Sequence, residues 1–199
     1  MTHQTSNGLT TFVFKNRGAL LSAPALLLLG FGKPSAFSVT LGLPLALVGE
    51  LIRCWGVGYS GATTRHDKVI APALVTAGPY AHMRNPLYAG NFVTALGFTI
   101  AFTGKNTWRS RLTLACTALG TMAAVYAIII PHEEAYLRRT FGAAFDEYCA
   151  RVPRSIPRTQ PSMPAQGTFD PAVIQQAESK TFMTFGAMLA VLAAKAARA

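Results

Sequence analysis

Residues 112–131, LTLACTALGTMAAVYAIIIP, decide the fold. They carry no charge over twenty consecutive positions. At 1.5 Å per residue, that length matches the roughly 30 Å hydrocarbon core of a bilayer. The stretch therefore reads as a membrane-spanning helix. Residues 36–59 form a second run of comparable length. Three shorter apolar runs cover about residues 18–32, 87–103 and 181–194, and these fit either tilted spans flanked by snorkelling residues or partly interfacial segments. Pro24, inside the first run, is tolerated in a membrane helix when neighbours satisfy the freed carbonyl. Lys15 and Arg17 before that run resemble the start of a signal peptide, but no A-x-A cleavage pattern follows. A retained first helix is expected. The fold class is thus an all-α membrane protein of about five transmembrane helices.

Composition agrees. The chain of 199 residues is 51% hydrophobic and 13% charged, against roughly a quarter charged in soluble domains. The net charge of +10 does not point to nucleic acid, because the basic residues alternate with long apolar runs and form no contiguous stripe. With a cytoplasmic N-terminus and five spans, twelve Lys and Arg fall on the cytoplasmic side and six on the other. That is the sense of the positive-inside rule. It predicts a protein of the inner or plasma membrane whose two long connections, near 60–86 and 132–180, face the cytoplasm.

The second of these connections has two parts. In HEEAYLRRTFGAAFDEYCARV, residues 132–152, Tyr136, Leu137, Phe141, Phe145 and Tyr148 recur at three- and four-residue steps, which predicts a cytoplasmic amphipathic helix with one buried stripe. Five prolines between Pro153 and Pro171 then predict a linker or extended cover. The expected organisation is a single domain over 1–199, with a motif-bearing core at about 45–158, a linker at 159–179 and a C-terminal helix at 180–199.

Several motifs fail on inspection. GVGYSG at 56–61 matches a dinucleotide-binding pattern, but it follows an apolar helix instead of a strand, so it reads as the glycine-rich end of that helix. His132-Glu133-Glu134 lacks the second histidine of the helical zinc motif, since position 136 is Tyr136, and no metal is expected. Cys54, Cys116 and Cys149 form no CxxC pair and read as free thiols. Glu50 and Arg53, three apart near the end of the second span, fit either a functional pair or a self-neutralising ion pair.

What remains is concentrated. Residues 78–92, GPYAHMRNPLYAGNF, pack glycines, prolines, tyrosines, Arg84 and Asn85 into one turn at the expected membrane boundary. Glu133 and Glu134 stand where the fourth span leaves the bilayer at the same surface. Pro79 and Pro86 stiffen the turn and bias Gly78 and Asn85 toward extended backbone. Gly90 permits close approach to the start of the third helix.

The pattern GPYxxxRNPxYxG followed by EExxLxxxFGxxFxxYxxxVPR resembles the integral-membrane methyltransferases of the isoprenylcysteine carboxyl methyltransferase and phospholipid methyltransferase superfamily. The likeness spans about residues 45–158. Asn85 stands where the isoprenylcysteine branch usually has His, and Asn-Pro is like the phosphatidylethanolamine branch. The resemblance implies S-adenosylmethionine as methyl donor and a lipophilic acceptor drawn from the bilayer. It points to Gly78, Tyr80, Arg84, Asn85, Pro86, Tyr88, Gly90 and Glu134 on the cofactor side, with Glu133 and Arg139 facing the acceptor. A carboxylate acceptor would want an arginine and an amine would want a carboxylate base; both are present. Two rival readings differ in their marks. Membrane sterol reductases, which use NADPH, carry a similar turn with Asn and Glu where this chain has Leu87 and Asn91. A non-enzymatic scaffold would tolerate Glu133→Gln and Asn85→Ala.

Overall fold

The computed structural model describes residues 8–61, 71–161 and 163–198. Arg65 and Lys68, counted in the charge balance, lie outside them. Among the described residues six α-helices follow in order: α1 (Gly8–Phe31), α2 (Ala36–Ser60), α3 (Pro86–Phe102), α4 (Trp108–Phe141), α5 (Ala143–Arg151) and α6 (Ala172–Ala196). A short 3-10 turn, Gly78–Ala81, precedes α3. Among the described residues there is no strand. Helices α1, α2 and α4 are long and apolar enough to cross a membrane, and α3 is an apolar helix of 17 residues.

Exposed Leu26, Phe31, Phe37, Leu41 and Leu51 leave an apolar outer surface suited to lipid. Inside, α2 and α3 meet along a glycine seam. A Cβ on Gly97 would fall onto the Ala46 backbone, one on Gly42 onto Ala101, and one on Gly49 onto Thr94. Only small residues let two helix backbones come this close. Hydroxyl bonds cross the seam: Ser38 Oγ donates to the Ala101 carbonyl at 2.8 Å. Phe102 and Ala101, both fully buried, pack with Leu28, Leu114 and Leu192 into one core.

The helix ends sort into two groups. At one end, the Lys105 amide donates to the Lys33 carbonyl (2.7 Å), Asn106 Nδ2 to Phe31 (3.0 Å) and Lys195 Nζ to Gly32 (2.9 Å). This ties the α1–α2 turn, the α3–α4 turn and the end of α6 together. The start of α1, the end of α2, the start of α3, the late part of α4 and the start of α6 meet at the other end, where the cavity described below lies.

Some boundaries differ from those read in the sequence. The expected amphipathic helix over 132–152 is two pieces. Helix α4 continues through Pro131 to Phe141, and Gly142, at φ +55°, separates it from α5. A proline removes one N–H without ending a helix that packs on both sides of it. Phe145 and Tyr148 are buried, whereas Tyr136, Leu137 and Phe141 are half-buried. Helix α6 begins at Ala172, well before the apolar run near 181, because the polar stretch AVIQQAESK is rich in helix formers that hydropathy does not register. Likewise α1 starts at Gly8. Gly61, at φ +82°, closes α2 with its amide on the Val57 carbonyl, so GVGYSG is a helix end as expected.

The proline-rich segment is an extended cover. Thr76 and Ala77 amides both donate to the Gln166 carbonyl (3.0 and 3.1 Å), and the Arg158 amide to the His82 carbonyl (3.0 Å). The Asp170 amide reaches the Gly58 carbonyl at 2.8 Å. The Phe169 ring packs 5.5 Å from that of Tyr59.

Candidate active site

The turn at 78–86 is built around two prolines. Pro79 opens the 3-10 turn and Pro86 is the first residue of α3, a position where a missing N–H costs nothing. Gly78 does not take the extended backbone expected before proline. It sits at φ +58°, and the Tyr59 ring fills the place a Cβ would need. Asn85, at φ −125° and ψ 56°, also stops short of fully extended geometry. Tyr148 Oη donates to the Tyr80 carbonyl at 2.8 Å, and the Arg84 amide donates to the Pro153 carbonyl at 2.8 Å. The turn is thereby clamped to α5 and the VPR segment.

Glu134 is the centre of this clamp. It accepts from Arg84 Nε at 3.0 Å and from Arg154 Nη2 at 2.5 Å. Asn85 Nδ2 lies 3.5 Å from the same carboxylate. Arg84 also donates through Nη1 to the Val152 carbonyl (2.6 Å) and the Cys149 carbonyl (3.1 Å), capping the end of α5. Burial pushes the Tyr80 phenol up to about 12 and raises that of Tyr148. The hydrogen bond to Glu134 holds the Arg154 guanidinium above its usual value.

Glu133 has a different setting. It accepts from Tyr88 Oη at 2.8 Å, and the Tyr88 ring stands 4.4 Å from that of Tyr126. Arg53 lies beyond them. Its main partner is not Glu50, whose Oε2 is 3.9 Å from Nε, but Glu178 of α6, which takes both bonds of Nη2 at 2.8 and 2.7 Å. Arg53 Nη1 reaches Asn91 Oδ1, and Asn91 Nδ2 reaches Tyr126 Oη at 2.7 Å.

These groups surround one cavity of about 860 Å³, within the range of small-molecule sites. Tyr80, Arg84, Asn85, Pro86, Tyr88, Glu133 and Glu134 line it. Phe14 and Arg17 of α1, and Gly167 and Thr168 of the cover, complete the wall. Three sequence-expected residues are elsewhere. Gly78 underlies the turn against Tyr59, and Gly90 faces the Gly49 carbonyl and Arg53 Cγ, so the close approach it permits is that of α2. Arg139 is exposed on α4 and outside the lining. Sequence reading missed Asn91, Tyr126 and Glu178. Of these only Glu178 carried a signal, as an acid next to an apolar run.

Comparison with known proteins gives the family. The phospholipid methyltransferase family pattern matches residues 37–144, more than half of the chain. The chain belongs to that family. A rice protein (Oryza sativa subsp. indica) named as a probable protein-S-isoprenylcysteine O-methyltransferase is 29% identical over 127 residues, covering 59% of this chain and 60% of its own length. Protein-S-isoprenylcysteine O-methyltransferase B of Arabidopsis thaliana is 29% identical over 128 residues, or 58% of this chain and 57% of that one. The nickel-cobalt-cadmium resistance protein NccN of Alcaligenes xylosoxydans xylosoxydans is 35% identical over 118 residues, 59% of this chain and 47% of NccN. The match thus spans roughly half to three-fifths of each relative's length. No solved structure matches the chain.

Proposed function

We propose that the chain transfers a methyl group from S-adenosylmethionine to a lipophilic acceptor, in the cavity at the cytoplasmic face of the membrane. The observation that carries this reading is the meeting of the 78–88 turn with Glu133 and Glu134 around one cavity. Family membership supports methyl transfer, and the relatives' names support a lipid-linked acceptor. The lining suits the donor. A sulfonium is a soft cation, and the carboxylate of Glu133 with the faces of Tyr88 and Tyr126 is a favourable environment for one. Bound there, S-adenosylmethionine supplies an activated methyl group.

The chain's own residues then have separate duties. Arg84, Glu134 and Arg154 form the ion-paired frame that fixes the turn. Asn85 offers its amide oxygen to the cofactor, beside Tyr80 and Pro86, while its NH₂ donates to the Arg154 carbonyl at 3.1 Å and lies 3.5 Å from Glu134. Glu133, oriented by Tyr88, is the charged group that faces the reacting centre. For a displacement at a methyl carbon, holding two reactants in line is worth about 7–11 kcal/mol. Rigid positioning by this frame is therefore the main contribution of the protein. Arg139 has no part in this reading.

The test uses purified protein in detergent. S-adenosylhomocysteine at about a hundred times its dissociation constant should stabilise the fold by about 2.7 kcal/mol, and NADPH should do nothing. Stabilisation by NADPH alone would replace methyl transfer with reduction. Transfer of label from methyl-labelled S-adenosylmethionine into a membrane lipid extract then identifies the acceptor.

A further inference from the structure

Helix α6 lies outside the family-matched residues, yet it contributes a carboxylate to the cavity wall. Glu178 is 1% exposed and grips Arg53 through both oxygens. A guanidinium has donors only. The oxygen of the Asn91 amide must therefore face Arg53, and its NH₂ must face the other way. That makes Asn91 a donor to Tyr126 Oη, at 2.7 Å. With one lone pair of its oxygen so engaged, the phenolic proton of Tyr126 is directed away from Asn91. Tyr126 lines the cavity and is 4% exposed. It lies seven residues before Glu133, about 10 Å deeper along the helix.

We propose that Glu178 is a positioning residue: through Arg53 and Asn91 it holds Tyr126 as a hydrogen-bond donor at the cavity floor, which therefore takes a ligand group bearing oxygen lone pairs and not an ammonium. The inference rests on the cavity being the transfer site, and it names the polarity of the group the floor accepts. A carboxylate, carbonyl or ester oxygen satisfies the phenolic proton. An alkylammonium has no lone pair to offer it.

The full chain in detergent micelles, with tyrosine labelled by ¹³C at Cζ, tests this by NMR. The Tyr126 resonance is the one lost in Tyr126→Phe. Dodecanoate should shift it, and dodecylamine at the same concentration should not. In Glu178→Gln the ligand-free resonance should move and the apparent affinity for dodecanoate should fall about fivefold, the loss expected for one neutral hydrogen bond. Because that variant leaves Arg53 without its main partner, Asn91→Leu serves as the second. It cuts the same chain while keeping the Arg53–Glu178 pair, and the same loss is expected. Equal shifts from dodecylamine and dodecanoate, or an unmoved Tyr126 resonance in both variants, would overturn the inference. Titration of the same sample with S-adenosylhomocysteine separates the two readings. No binding there sinks methyl transfer while the Tyr126 response stands on its own.

Discussion

Replacing Glu134 by Gln and, separately, Glu133 by Gln should give opposite phenotypes from adjacent positions. Glu134 is 7% exposed in its side chain and pairs with Arg84, itself 12% exposed, and with Arg154, 51% exposed. Removing one member of a buried pair costs about 3–5 kcal/mol, because the remaining charge stays buried. Arg84 keeps its bonds to the Val152 and Cys149 carbonyls, so the lower end, about 3 kcal/mol, applies. The half-exposed Arg154 arm adds about 0–1 kcal/mol. For a chain of this length each kcal/mol moves the midpoint about 2–4 °C, so a loss of about 3–4 kcal/mol should make Glu134→Gln melt about 6–16 °C below wild type. Glu133 loses far less. A glutamine carbonyl still accepts from Tyr88 Oη, and the cost is about 1 kcal/mol or under. Its loss should instead appear in methyl transfer and in binding of S-adenosylhomocysteine. Thermal unfolding by tryptophan fluorescence in detergent, with calorimetry on the same samples, reads both effects. A Glu134→Gln midpoint within about 2 °C of wild type would refute the frame described for the turn. So would an equal fall in Glu133→Gln.

Other outcomes follow from the same contacts. Gly97→Leu should separate α2 from α3 and destabilise by about 3 kcal/mol or more, since even a Cβ there collides with Ala46 backbone; detergent-extracted protein should show it as loss of the folded peak on size exclusion. Gly78→Ala should cost about 1–3 kcal/mol, from positive φ and the Tyr59 ring together, and Tyr59→Ala should relieve part of it in a double-mutant cycle. At alkaline pH the Tyr80 phenol, held up to about 12 by burial, keeps a proton that the unfolded chain releases near 10. Its contribution is intact below about pH 10 and is lost at about 1.4 kcal/mol per unit as pH rises toward 12. Wild type should therefore lose stability faster than Tyr80→Phe between pH 10 and 11.

Some of this was legible in the residues alone. The uncharged run at 112–131 announced its helix because hydropathy and length act locally. The 78–92 turn and the two glutamates were recognisable because specialised residue types crowd together. What sequence could not assign was which glutamate does what. Glu133 and Glu134 are neighbours in the chain but point to different partners, and that depends on Arg84, Arg154 and Tyr88 arriving from distant segments. Arg53 shows the same limit. The acid three residues away, Glu50, was the evident partner, while the one that grips it is 125 positions further on. Gly90 read as space for a ligand because a glycine says only that something comes close.

The distance between Arg53 and Glu178 has a consequence for biosynthesis. At about 5–20 residues per second, the ribosome needs roughly 6–25 s to make the intervening chain. For that interval α2 exists with a cation near its end and no α6 to set beside it. Glu50, one turn away at 3.9 Å, is the acid that can accompany Arg53 through insertion, before the last helix docks and takes over the guanidinium.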